Sequence, residues 1–122
     1  MCGISGVVGL KNISQLLFEG IKNLEYRGYD SCGVAIMNKT HLIIKKDVGE
    51  VEEVYRKHNV LQHKSNIGIA HTRWATHGKV NQENTHPFTS CDGKFAVVHN
   101  GIISNYRTLR DQLNKEGYKF TS

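Results

Sequence analysis

Hydrophobic residues along the chain follow two spacings, one typical of helices and one typical of strands. Residues 4–9 form a short apolar run broken by glycines, as in a buried strand that another backbone approaches closely. Helical spacing follows, with apolar residues at 13, 16, 17, 21 and 24 on one helical face, which is predicted to be buried. Asn12 precedes this run and Gln15 lies three residues later, in the order of a capping box. A strand and an amphipathic helix are therefore predicted to come first.

The middle of the chain predicts a hairpin and a second helix. Residues 25–31, EYRGYDS, are polar and aromatic around a glycine and are predicted to form a loop. Strands over 32–37 and 41–45 are expected to pair through a turn at 38–40. The apolar residues within 50–58 have helical spacing, so a shorter helix is predicted there.

A further strand and a second hairpin are predicted after residue 65. Residues 66–73 alternate in character, which indicates a strand whose two faces differ. Residues 75–87 contain few apolar side chains and are expected to form an ordered loop with some mobility. Strands over 88–90 and 95–99 are predicted to flank residues 91–94, where Asp-Gly is a hairpin signal.

The last stretch predicts one more helix and one more strand. Ser104 is expected to cap a helix with Tyr106, Leu109 and Leu113 on one face, and Gly117 is expected to stop it. Residues 118–122 are predicted to start a strand. Mixed helices and strands indicate an α+β fold, and we expect this chain to be the front part of a larger domain.

Size and composition exclude several classes of protein. A chain of 122 residues with 39% hydrophobic and 22% charged residues is expected to form one soluble globular domain with a modest core. No apolar run approaches the roughly 18 residues that span a bilayer, and no leader precedes the first strand. We therefore expect no membrane association and a cytoplasmic location.

Charge and cysteine content narrow the possible partners. The net charge of +5 raises nucleic acid as a partner, but lysines and arginines are spread out, so no nucleic acid is expected. A solvated surface is the favoured interpretation, with attraction of small anions second. The odd number of cysteines and their wide spacing argue against a disulfide framework and a cysteine zinc site. They are Cys2, Cys32 and Cys91.

Histidines raise the possibility of a metal site in the second half of the chain. They lack a tight i, i+4 pair and a nearby cluster of carboxylates, so we expect no metal and no other cofactor. The histidines concerned are His71, His77, His86 and His99.

Cys2 follows the initiator methionine and is small enough for Met1 to be removed. Removal would leave a thiol and a free α-amine on one residue, and an α-amine titrates near pH 8, where it can take the proton of the thiol. By itself, a cysteine at the start of a strand is more commonly a small buried residue. Only other parts of the chain can decide between these two interpretations.

Two further stretches place polar groups at strand ends. Asn100-Gly101 is suited to an oxyanion hole made of a side-chain amide and a backbone N–H, although an ordinary Asn-Gly turn is the alternative. Arg73 is able to clamp a carboxylate with two hydrogen bonds, or to be a surface arginine at a strand end. Trp74 is the single tryptophan and is alternatively a core anchor.

Four motifs together resemble the class II family of glutamine amidotransferases, whose nucleophile is an N-terminal cysteine. They are CGI at residues 2–4, EYRGYDS at 25–31, HTRWATHG at 71–78 and HNG at 99–101. Within that family they most resemble the members whose ammonia acceptor is fructose 6-phosphate. The resemblance implies an αββα four-layer sandwich, the fold of N-terminal-nucleophile hydrolases, here truncated, with residues 2–122 as the N-terminal part of the glutaminase domain.

The resemblance also implies roles for single residues. Cys2 would attack the side-chain amide of L-glutamine, and Asn100 and Gly101 would hold the oxyanion. Arg73 would bind the glutamine α-carboxylate, with Thr76 and His77 in the adjoining substrate loop. Trp74 matches a residue associated with the passage of ammonia to the acceptor.

Other parts that the resemblance implies are missing from these 122 residues. They are an aspartate that binds the substrate α-amine, and the sugar-isomerase domains that bind fructose 6-phosphate. The complete enzyme is expected to be a homo-oligomer. Two alternatives stay open, namely a catalytically silent module that folds or docks with a partner, and an amidotransferase with another ammonia acceptor.

Overall fold

A computed structural model describes residues 1–122 and shows an α+β fold. The strands are Gly3–Val8 (β1), Ser31–Asn38 (β2), His41–Val48 (β3), Ile67–Arg73 (β4), Phe88–Thr89 (β5) and Ala96–Val97 (β6). The helices are Ser14–Lys22 (α1), Val51–Lys57 (α2) and Tyr106–Lys115 (α3), with short 3₁₀ turns at Glu25–Arg27 and Val60–Gln62. None of these helices has the length and apolar content that crossing a bilayer requires.

Four strands form one antiparallel sheet in the order β1-β4-β2-β3. The predicted hairpin at 38–40 is confirmed, with Asn38 opposite His41. Strand β4 lies between β1 and β2, so its last residues are flanked by the beginnings of two other strands. Gly3 of β1 lies opposite Thr72, and Ser31 of β2 lies opposite Arg73.

One face of this sheet carries the hydrophobic core. Helices α1 and α2 pack there, and side chains from β2 and β4 meet them. Gly68 is needed at this contact, because a Cβ at that position would lie 2.7 Å from Leu17 Cδ2 and 2.8 Å from Ile36 Cγ2. The core consists of Ile13, Leu17, Ile21, Cys32, Val34, Ile36, Val51, Val54, Tyr55, Val60 and Ala70.

The opposite face of the sheet is covered by the chain that leads into β5. Gly33 leaves room for this crossing, since a Cβ there would lie 2.0 Å from the carbonyl oxygen of His86. Lys46 fastens the crossing chain by donating hydrogen bonds to the carbonyl oxygens of Thr85 (2.7 Å) and Pro87 (3.1 Å). The two faces of β4 therefore differ as predicted, with Ala70 in the core and His71 beneath the crossing chain.

The start of α1 differs from the predicted capping box. Asn12 Oδ1 accepts the backbone N–H of Ser14 at 3.3 Å, but also that of Ser65 at 3.0 Å, so it joins the helix start to the chain before β4. Gln15 donates to Glu19 one turn later and does not reach back. The prediction that Leu16 belongs to the buried face is wrong, because the buried row repeats every four residues from Ile13 and leaves Leu16 58% exposed.

Helix α3 ends as predicted but begins differently. Gly117 (φ +93°) donates to the carbonyl of Asn114, and Tyr118 donates to that of Leu113, which is a Schellman motif. The residue before the helix is Asn105, and no side chain caps it, so the prediction that Ser104 is the cap is wrong.

The remaining strands are shorter or fewer than predicted. The second hairpin pairs only Phe88 with Val97 and Thr89 with Ala96. Residues 118–122 form no strand, because no neighbouring strand offers them backbone partners. Instead, Phe120 lies under the guanidinium of Arg110, whose carbon is 5.0 Å from the ring centroid.

Candidate active site

A cavity of about 460 Å³ lies at the end of β4, on the face of the sheet opposite the core. It is lined by four stretches of the chain, namely Cys2 and residues within 71–78, 84–88 and 99–102. All seven residues proposed from the sequence as site residues line it: Cys2, Arg73, Trp74, Thr76, His77, Asn100 and Gly101.

The position of Cys2 follows from the pairing of β1 with β4. Gly3 lies opposite Thr72 and faces the helices, so the preceding residue faces the cavity beside Arg73. The Cys2 thiol is partly exposed and its Sγ lies 3.9 Å from the carbonyl oxygen of Trp74. Glycine is required next to it, because a Cβ at Gly3 would lie 2.6 Å from Leu24 Cβ.

The other two thiols lie elsewhere and have different surroundings. Cys32 is 1% exposed in the core, and burial raises the pKa of its thiol to about 12, with a further contribution from Glu25. Such a thiol stays protonated and is a poor nucleophile. Cys91 is exposed and lines a separate groove near the chain end. Cys2 is therefore the one thiol in the cavity.

Arg73 organises the loop that forms one wall of the cavity. Its side chain is largely buried, and its guanidinium donates to the carbonyl oxygens of Lys79 (3.0 Å) and His77. The loop turns at Gly78, whose φ of +78° favours glycine. A guanidinium has more N–H donors than these two bonds use, so Arg73 retains donors for an anion in the cavity.

The EYRGYDS segment supports the same wall from behind. Gly28 packs flat against the peptide between Arg73 and Trp74, where a Cβ would lie 2.5 Å from the Arg73 carbonyl carbon. Asp30 accepts the backbone N–H of Ala75 through Oδ2 and donates its own N–H to the Arg73 carbonyl at 3.2 Å. The residue pattern predicted a polar loop here and assigned the segment no role in the site, while the structure shows that it fixes the turn after β4.

Gly28→Ala is expected to disturb the cavity although Gly28 itself does not line it. The new methyl group must push the Arg73–Trp74 peptide away, and a displacement near 1 Å at a reacting site costs about 10²-fold in rate. We expect kcat/KM for the glutamine hydrolysis that the sequence motifs imply to fall by about that factor, measured on the complete protein.

Gly6→Ala is the matched control for this substitution. Gly6 lies in β1, and a Cβ there would make only ordinary contacts, with Ile69 Cγ2 at 3.7 Å and the Gly68 carbonyl oxygen at 3.9 Å. Its kcat/KM should equal that of the wild type. Equal activity of the Gly28→Ala and Gly6→Ala enzymes would contradict the role assigned to Gly28.

Trp74 lies at the rim of the cavity and does not anchor the core. Its side chain is 47% exposed, and its ring contacts Tyr29 edge to face, with centroids 5.6 Å apart. The alternative that Trp74 is a core anchor is therefore wrong. Beyond it, the Thr76 hydroxyl lies 3.0 Å from His77 Nδ1 at the surface of the cavity.

Asn100 and Gly101 approach the cavity from the chain that follows β6. A Cβ at Gly101 would lie 3.0 Å from the His99 ring, so the backbone there approaches its neighbour more closely than a larger residue allows. The backbone N–H of His99 donates to Nδ1 of His86 at 3.2 Å. The segment 99–101 is thereby tied to the chain that crosses the sheet.

Two stacked histidines form the floor of the cavity and were not predicted as site residues. The rings of His71 and His86 are 4.3 Å apart and 19° from parallel. Burial, and repulsion from His86 whenever that ring is protonated, lower the pKa of His71 to about 3, while burial and Arg73 lower the pKa of His86 to about 4. Both rings are therefore neutral at neutral pH. Their face-to-face stacking is unlike the convergence of ring nitrogens that a metal requires.

Sequence comparisons place this arrangement in a known family. The family model described as a glutamine amidotransferase domain matches residues 56–122, which is more than half of the chain. The chain belongs to the glutamine amidotransferase domain family. The matched residues include the cavity stretches around Arg73 and Asn100, whereas Cys2 lies before the matched region.

Curated relatives of this amidotransferase domain extend over all 122 residues. The glutamine–fructose-6-phosphate aminotransferases (isomerizing) of Pyrococcus horikoshii and Acinetobacter baylyi are 51% and 52% identical over the whole chain. The chain spans 20% of the length of each of these relatives.

A solved structure shows the same fold in another amidotransferase. The glutamine phosphoribosylpyrophosphate amidotransferase from B. subtilis superposes with a TM-score of 0.81 at 30% identity, over 98% of this chain and 26% of that one. The structure of an allosteric regulatory enzyme of purine biosynthesis gives 0.83 at 29% identity. The domain thus has the α+β fold of the N-terminal-nucleophile amidotransferases, as the sequence motifs implied.

Proposed function

We propose that this chain carries the glutaminase site of an amidotransferase, with Cys2 as its N-terminal nucleophile after removal of Met1. The α-amine of Cys2 takes the thiol proton, and the sulfur attacks the side-chain amide carbon of L-glutamine. The amide oxygen becomes an oxyanion, which accepts hydrogen bonds from the Asn100 side chain and the Gly101 backbone N–H. The ammonium then returns its proton to the leaving nitrogen, and ammonia departs.

The second half of the reaction releases glutamate. Loss of ammonia leaves a thioester between Cys2 and the glutamyl group. The amine, again neutral, removes a proton from a water molecule, and that water attacks the thioester carbonyl. Asn100 and Gly101 again donate hydrogen bonds to the oxyanion. The sulfur leaves as the thiol after proton return, and glutamate dissociates. One observation carries the proposal: the single thiol in the cavity shares it with Arg73, Asn100 and Gly101.

The walls of the cavity account for recognition of the substrate. Arg73 binds the α-carboxylate of glutamine through the N–H donors that its two loop bonds leave free. Thr76 and His77, exposed on the same loop, contact the rest of the amino-acid moiety. Trp74, half-exposed at the rim next to Cys2, borders the path by which ammonia leaves.

For the complete protein, we propose that the ammonia converts fructose 6-phosphate to glucosamine 6-phosphate. About 50% identity to aminotransferases with that name, against 30% to the phosphoribosylpyrophosphate enzyme, supports this acceptor. Residues 2–122 are then the N-terminal part of the glutaminase domain, and sugar-isomerase domains elsewhere in the protein bind the sugar phosphate. We also propose that the complete protein is a homo-oligomer and is located in the cytoplasm. The free state of all three cysteines agrees with a reducing compartment.

Covalent labelling tests the assignment of the nucleophile. The complete enzyme is incubated with an L-glutamine analogue that carries an electrophile in place of the amide, and the adduct is mapped by mass spectrometry. We expect one adduct, on Cys2, and protection by L-glutamine. Adducts on Cys32 or Cys91 with Cys2 unmodified would overturn the proposal.

Product analysis tests the acceptor separately. The complete enzyme is given L-glutamine with fructose 6-phosphate or with phosphoribosyl pyrophosphate. Glucosamine 6-phosphate is the expected amino product. Hydrolysis of glutamine without transfer to fructose 6-phosphate would retain the glutaminase site and reject this acceptor.

A further inference from the structure

His86 is held more firmly than its position in a long loop suggests. Its ring lies between His71 and Phe88, with both centroid distances equal to 4.3 Å. Its carbonyl oxygen presses on Gly33, where a Cβ would lie only 2.0 Å away. On either side of it, the carbonyls of Thr85 and Pro87 accept hydrogen bonds from Lys46. Ring and backbone of His86 are thus both fixed to the sheet.

The ring of His86 makes one directed contact with the rest of the cavity. Its Nδ1 accepts the backbone N–H of His99 at 3.2 Å, one residue before Asn100. In a neutral imidazole only one nitrogen is an acceptor, so this bond requires the proton to be on Nε2. The pairing of β6 with β5 ends at Val97, so the backbone of residues 99–101 lies outside the sheet.

We propose that His86 is a positioning residue for the oxyanion-binding segment, acting through its Nδ1 on the His99 N–H. This inference rests on the proposed glutaminase function. Oxyanion donors act only when they are already aimed at the position of the developing charge. A bond from a fixed ring to the adjacent peptide holds Asn100 and Gly101 at that position. His86 itself does not touch the reacting atoms in this scheme.

The charges around His86 favour the neutral ring that this bond needs. His71 and Arg73 approach from β4, Lys46 from β3 and His99 from the chain after β6. None of these side chains carries a negative charge. Neither His86 nor His71 forms an ion pair with a carboxylate. Burial and the positive charges of Arg73 and Lys46 disfavour protonation of Nδ1, so the acceptor is available throughout the neutral pH range.

Two substitutions in the complete enzyme test separately the effect of the hydrogen-bond acceptor at position 86 and the effect of the aromatic ring. His86→Phe keeps an aromatic ring for the stack but has no acceptor, whereas His86→Asn loses the ring and places an amide oxygen near the position of Nδ1. We expect kcat for glutamine hydrolysis to fall about 10²-fold in His86→Phe, as for loss of an oxyanion donor. The KM of His86→Phe should change little, because Arg73 is not disturbed. The His86→Asn enzyme should retain most of the wild-type kcat. His41→Phe, at an exposed strand position, is the control.

The outcomes distinguish this inference from the proposed function. A wild-type enzyme that does not hydrolyse glutamine would overturn the function itself. Normal wild-type activity with unchanged kcat in His86→Phe, or with equal losses in both variants, would overturn only the role of His86. Should His86→Phe fail to fold, hydrogen exchange in the wild type decides, since the His99 amide must be protected; free exchange at that amide would overturn the inference.

Discussion

A complete enzyme carrying Cys2→Ala is expected to lose glutamine hydrolysis by about 10⁴-fold or more. The substitution removes the sulfur that forms the thioester, and no other thiol can replace it. Cys32 is buried with a pKa raised to about 12, and Cys91 lines a different groove. Binding of glutamine should persist, because Arg73 and the loop after β4 are unchanged. Isothermal titration of L-glutamine and a coupled glutamate assay measure the two properties separately.

Cys91→Ala is the matched control for this experiment. Cys91 is also a free and accessible thiol, and it donates a hydrogen bond to the carbonyl oxygen of Lys119 at 3.3 Å. Its removal should leave kcat and KM at wild-type values. Substantial hydrolysis by Cys2→Ala would mean that the nucleophile has been assigned to the wrong residue.

The elements that could be predicted from the sequence are those whose pattern is set by contacts within the core. Strand β4 is an example, because alternation of Ala70 with His71 separates a core face from a cavity face. The hairpin at 38–40 was predictable for a different reason, because a short turn between two strands that are consecutive in the chain sets their register. The predicted strand at 118–122 is absent because a strand depends on a partner, and local propensity does not supply one.

Site residues could be predicted where a short sequence motif contains the side chains that the chemistry needs. Cys2, Arg73 and Asn100 have side chains suited to nucleophilic attack, anion binding and oxyanion stabilisation, and the cavity brings them together. Gly28 and His86 act through contacts with residues far away in the chain. The closeness of Gly28 to the Arg73 carbonyl, and the stacking of His86 on His71, are consequences of tertiary packing that no local pattern contains.

An N-terminal extension that cannot be trimmed is expected to abolish glutamine hydrolysis in the complete enzyme. In the structure Met1 is 71% exposed, and it lines a second cavity together with Tyr26, Arg27 and Trp74. A residue bonded to the nitrogen of Cys2 converts that amine into an amide, which cannot accept the thiol proton. Loss of a general base costs about 10²- to 10⁴-fold in rate.

A fusion protein allows the loss and the recovery of glutamine hydrolysis to be measured on the same molecule. A cleavable tag is fused directly before Cys2, and a protease then cuts so that Cys2 becomes the first residue. We expect negligible activity before cleavage and full activity afterwards, with intact mass confirming the N-terminus of each sample. Cleavage of a matched Cys2→Ala fusion should restore nothing. Equal activity before and after cleavage would show that the α-amine of Cys2 is not the base, and another proton acceptor in the cavity would have to take its place.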